Sequence, residues 1–61
     1  MKKFHLKVLH SGMSFIRETV RANYYRASDG GYHFYERVGE YNEKEICVYP
    51  IVLTIIEKIE E

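Results

Sequence analysis

The tetrapeptide Ser28-Asp29-Gly30-Gly31 constrains this chain more than any other feature. It lies between Asn23-Tyr24-Tyr25-Arg26 and Tyr32-His33-Phe34-Tyr35. Asp-Gly accepts the positive φ angles of a two-residue hairpin turn, and aromatic residues on both sides favour extended chain. A strand is therefore expected on each side. With Asp29 and Gly30 as the turn residues, Tyr24 falls opposite Tyr35, Tyr25 opposite Phe34, Arg26 opposite His33 and Ala27 opposite Tyr32. One face then carries Tyr24 and Tyr35, and the other carries Tyr25, Phe34 and Tyr32.

The remaining segments read mostly as strands. Phe4, Leu6 and Val8 alternate with His5, Lys7 and Leu9, so Lys3 to His10 is a strand, closed by turn chemistry at Ser11-Gly12. Ser14 to Ala27 supports two readings. As a helix it places Met13, Ile16, Val20, Tyr24 and Ala27 on one stripe. As a strand it places Ile16, Val20, Ala22 and Tyr24 on one face and Arg17, Thr19, Arg21, Asn23 and Tyr25 on the other. The hairpin needs a strand on its N-terminal side, which favours the second. A third strand runs from Tyr32 to about Val38, Gly39 to Lys44 is a polar connection, and Glu45 to Tyr49 is a fourth strand that Pro50 ends or bends. At the C-terminus, Val52, Ile55, Ile56 and Ile59 have helical spacing. Their β-branched character instead favours a tight turn over Pro50 to Leu53 and a last strand from Thr54 to Glu60. The expected fold is one all-β domain over residues 1–61, a five-stranded, strongly bent antiparallel sheet or an SH3-like or Sm-like barrel. An α+β fold with a helix at 14–27 or 51–60 is the alternative.

With 61 residues there is room for one small core, and Met1 reads as a natural start. One cysteine, Cys47, cannot form an internal disulfide, so no covalent staple supports that core. The chain is 46% apolar and 30% charged, the balance of a globular protein, and no apolar run is long enough to span a bilayer. The cytoplasm is the expected compartment. Formal net charge is zero, yet residues 1–26 carry six cations against Glu18, and residues 36–61 carry seven glutamates against Arg37, Lys44 and Lys58. Strands from both halves lie side by side in a small barrel, so this asymmetry need not persist as separate patches.

The chemically versatile residues have structural explanations. His5 and His10 are five apart, on opposite faces of a strand, and His33 lies in a distant hairpin, so no metal-ligand spacing is present. Cys47 sits between Ile46 and Val48 as a small core or interface residue. Its parity groups it with Glu45 and Tyr49. Ser11, Ser14, Ser28 and Asp29 belong to turns. No catalytic residue, cofactor or metal is expected, and enzyme activity is not expected.

From Ala22 to Glu57 the order of features is Tyr24-Tyr25, Asp29-Gly30-Gly31, Phe34-Tyr35, a charged loop, Val48-Tyr49-Pro50 and a closing Ile55-Ile56-Glu57. This order resembles that of uncharacterised small β-barrel-like proteins of prokaryotes and their phages. The resemblance implies a barrel-like fold, transfers no catalytic residues, and adds a phage-type regulator or inhibitor of a host protein to the functional possibilities.

A hairpin presents only one face to its own core, so aromatics on both faces point to a contact with another molecule. The expected interaction surface comprises Arg21, Tyr25, Tyr32, Phe34 and Tyr35. The partner is a protein or a second copy of the chain, with at least a dimer expected. In the alternative, Lys7, Arg17, Arg21 and Arg26 follow a single-stranded nucleic acid and Tyr25 or Phe34 stacks on its bases, although a pI near 6.8 lacks the overall basic signature of such proteins.

Overall fold

The computed structural model describes all 61 residues and is all-β. Six strands follow in order: β1 (Lys2–His10), β2 (Ser14–Ala22), β3 (Tyr24–Ser28), β4 (Gly31–Val38), β5 (Asn42–Pro50) and, after a single 3-10 turn at Ile51–Leu53, β6 (Thr54–Glu60). They form two three-stranded antiparallel sheets, β2-β1-β6 and β3-β4-β5, that do not close into a barrel. There is no α-helix, so the helical readings of 14–27 and 51–60 do not hold, and no helix is long and apolar enough to cross a membrane.

The aromatic hairpin has the register its turn implies, from Tyr24 opposite Tyr35 to Ser28 opposite Gly31. Asp29 and Gly30 have φ angles of 49° and 74°, the left-handed pair that a tight two-residue turn requires. The expected turn over Pro50 to Leu53 and last strand from Thr54 to Glu60 are also present. Two expectations need correction. Ser14 to Ala27 is two strands in different sheets, which raises the strand number from five to six. Residues 42–44 are not connection but the start of β5, because Glu36 and Arg37 pair with Lys44 and Glu43 and shorten the loop to Gly39-Glu40-Tyr41. Pro50 is the last residue of β5, opposite Gly31, so it ends that strand as expected, and it is tolerated there because β5 is an edge strand.

The break between β2 and β3 is a single residue, Asn23. Its backbone N–H donates to the Tyr35 carbonyl at 2.8 Å, and its side-chain Oδ1 accepts from the Arg37 N–H at 2.7 Å. Both partners belong to β4, so Asn23 ties the corner at which the chain leaves one sheet for the other. The corner also reverses parity. Val20 and Ala22 face the core from β2, whereas in β3 it is Tyr25, rather than Tyr24, that turns toward it.

The core lies between the inner faces of the two sheets. Phe4, Leu6, Val20 and Ala22 come from the first sheet and Phe34 from the second, with Val8, Tyr32, Cys47, Tyr49 and Ile56 packed around them. The Phe4 and Phe34 rings meet edge to face at 5.2 Å, and Phe34 meets Tyr49 in the same way at 6.0 Å. A bulge in each sheet, between His5 and Leu6 and between Phe34 and Tyr35, bends the strands around this small nucleus.

Candidate interaction surface

The outer face of the second sheet is built by residues of alternate parity. Tyr24 and Arg26 come from β3, His33, Tyr35 and Arg37 from β4, and Glu43 and Glu45 from β5. Tyr24 and Tyr35, directly opposite, stack with ring centres 5.5 Å apart. The Arg26 guanidinium lies 5.2 Å and 5.0 Å from the two ring centres, and the Arg37 guanidinium lies 5.8 Å from that of Tyr24.

Glu43 holds this stack in place. It accepts two N–H bonds from Arg26, at 2.8 Å and 3.0 Å, and a further bond from the Tyr24 hydroxyl. The Tyr24 bond, and then the Arg26 bonds, lower the Glu43 carboxyl below its ordinary value. The same bond raises the Tyr24 hydroxyl. On the next row His33 Nδ1 meets Glu45 Oε1 at 2.7 Å, and its Nε2 lies 3.1 Å from the Ser28 carbonyl. The Glu45 bond raises the His33 imidazole above its ordinary value.

Beside the stack is an open depression of about 470 Å³, lined by Tyr24, Tyr25, Arg37, Glu40 and Tyr41 among others. Arg26 is engaged by Glu43, whereas Arg37 forms no ion pair. Tyr41, at the tip of the β4–β5 hairpin, is 91% exposed. The depression therefore offers an aromatic wall, an unpaired guanidinium and an exposed tyrosine at its rim, the residue types that dominate binding at protein interfaces.

The five residues expected to form one surface are dispersed. Tyr35 belongs to the stack, and Tyr25 reaches the edge of the depression from the inner face. Tyr32 is half-buried beside the core, and Phe34 is fully buried at its centre, unable to present itself to a partner. Arg21 lies on the other sheet, in β2. Of the residues that could have followed a nucleic acid, Lys7, Arg17 and Arg21 share the outer face of the first sheet, whereas Arg26 lies on the second and is held by Glu43. Sequence reasoning missed Arg37, Tyr41 and Glu43. The available signal was a large aromatic within the short polar stretch Gly39-Glu40-Tyr41-Asn42.

No thiolate chemistry is favoured, because burial, and then Glu18 and Glu45, push the Cys47 thiol up. The histidines are separated: His5 pairs with Glu60 at 2.7 Å, His33 pairs with Glu45, and His10 is exposed. No group of three or more His, Cys, Asp or Glu side chains has metal-binding proximity. Comparison with protein-family models, curated proteins and solved structures finds no match. The geometry alone carries the functional argument.

Proposed function

We propose that this chain is a non-enzymatic protein-binding module that associates first with a second copy of itself. The observation that carries this reading is an imbalance. Thirteen large apolar side chains are exposed, against five apolar residues in the core. The accessible surface is 4552 Å², while a compact monomer of this mass has roughly 4,200 Å². Burying part of that excess in a symmetric dimer is the commonest solution for a small chain. The rim of the depression, with Tyr41, Arg37 and Tyr24, is the contact this proposal uses. A foreign protein docking on the same rim gives the related reading of a regulator or inhibitor of a host protein.

Sedimentation equilibrium tests the proposal. The expected result is at least a dimer at micromolar concentration, with Tyr41→Ala raising the dissociation constant tenfold or more, the scale of an interface hot spot. A strict 7.3 kDa monomer at high concentration rejects self-association and leaves the rim to a foreign partner.

A further inference from the structure

The first sheet separates its side chains sharply by face. The inner face carries Phe4, Leu6 and Val8 with their partners. The outer face reads in cross-strand rows: Lys3 with Arg21 and Glu60, His5 with Thr19 and Lys58, Lys7 with Arg17 and Ile55, and Leu9 with Phe15. Five permanent cations therefore share one face with Glu60 and the bulge residue Glu57. Glu57 approaches Arg17 at 3.5 Å, and Glu60 meets His5 at 2.7 Å. Lys3, Lys7, Arg21 and Lys58 form no ion pair. The zero net charge of the chain hides a local excess of three positive charges, and a ligand within a Debye length of about 8 Å senses the local value.

Two of those rows put like charges directly opposite each other, Lys3 against Arg21 and Lys7 against Arg17. Such cross-strand pairs destabilise a sheet. Protection of an exposed edge accounts for cations on β2, which is an edge strand. It does not account for Lys3 and Lys7, because β1 is the central strand and has no free edge. Lys3 has Glu60 opposite it on its other side, but Lys7 has Ile55, so the Lys7 row holds two cations and no carboxylate, a cost to folding that points to a functional surface. The same face carries an aromatic: Phe15 is 47% exposed, and the Lys7 ammonium sits 4.5 Å from its ring centre.

We propose that the outer face of the β2-β1-β6 sheet binds single-stranded nucleic acid. Lys3, Lys7, Arg21 and Lys58 contact the phosphates, and Phe15 stacks on a base. Lys3 and Lys7 lie four residues apart on one strand, roughly 13 Å, so the cations span several nucleotides rather than one phosphate. Cations interleaved with an exposed aromatic on an open sheet are the arrangement that single strands use, because their bases are free to stack. This surface is on a different sheet from the rim proposed for protein contact, so neither proposal depends on the other.

The test is fluorescence anisotropy of a labelled twelve-nucleotide oligothymidylate titrated with the protein between 50 and 200 mM salt. Four phosphate contacts give a slope of log K against log salt of about −3. Lys7→Gln is expected to reduce its steepness by about 0.7, and Lys7→Gln with Arg21→Gln to halve it and weaken low-salt binding on the order of tenfold. Phe15→Ala weakens binding with the slope unchanged. Lys44→Gln, the same charge change on the other sheet, leaves both quantities as they are. The Lys7 and Arg21 variants melt no lower than the unaltered chain, since they relieve like-charge pairs. Absence of oligonucleotide binding at 50 mM salt overturns the proposal, as does a double variant that binds undiminished. Equal affinity for a duplex of the same length, or binding confined to phosphatidylserine vesicles, also overturns it.

Discussion

Thr54 on the inner face and His33 on the outer face contribute to stability in different ways. Thr54 is 5% exposed on the inner face opposite Val8, and its hydroxyl has no hydrogen-bond partner. Replacing a buried, unpaired hydroxyl by a methyl of the same shape removes its desolvation cost. Thr54→Val is therefore expected to stabilise the fold by about 1 kcal/mol. For a domain of this size that is a rise in Tm of roughly 4–8 °C, readable by calorimetry. His33 contributes through charge instead. Its bond to Glu45 holds the imidazole above its ordinary value. The stabilisation is therefore fully present below about pH 6.5, the unfolded value, and is lost as pH rises through the raised folded value. NMR titration of the His33 ring is expected to report the raised value in the unaltered chain and a fall toward the ordinary one in Glu45→Gln. No difference between the two would remove Glu45 as the cause.

Turns and the corner decide how the strands are arranged. Gly30 has φ of 74°, which a β-branched residue adopts only with strain, so Gly30→Val is expected to cost on the order of 1 kcal/mol or more. Gly31 lies outside that region, but a Cβ there meets the Val48 Cγ1 at 2.8 Å, so the β-branched Val48 side chain must shift to admit it. Urea denaturation is expected to show a loss for alanine at both positions, from backbone strain at 30 and from the displaced Val48 side chain at 31. At the corner, Asn23→Ala removes the acceptor of the Arg37 N–H and is expected to cost about 1 kcal/mol. Hydrogen exchange at Arg37 should accelerate more than exchange in β1. Uniform acceleration across both sheets would mean that Asn23 is not a local joint.

At the scale of the whole molecule, two thin sheets share a core of five apolar residues, and their outer faces differ in chemistry. One face is aromatic, with Arg26 engaged by Glu43 and Arg37 free of ion pairs, and the other is basic with four unpaired cations. The proposed dimer and the proposed oligonucleotide site are thus expected to be separable: Tyr41→Ala changes sedimentation and spares anisotropy, while Lys7→Gln does the reverse. The sequence alone determined what depends on near neighbours. Asp29-Gly30 set the hairpin register from Tyr24 opposite Tyr35 to Ala27 opposite Tyr32, and the β-branched run after Pro50 specified β6, because turn geometry and side-chain alternation act over a few residues. Which parity faced the core on either side of Asn23 was decided only by tertiary structure, since the corner depends on hydrogen bonds to Tyr35 and Arg37, more than ten residues away. The same holds for Phe34, which local pattern left free to face either way and which the packing of Phe4 against it buried. It holds too for the charges, because pairing β6 beside β1 brought Lys58 to the face that Lys3, Lys7, Arg17 and Arg21 occupy, a juxtaposition that long-range strand order creates and local spacing does not encode.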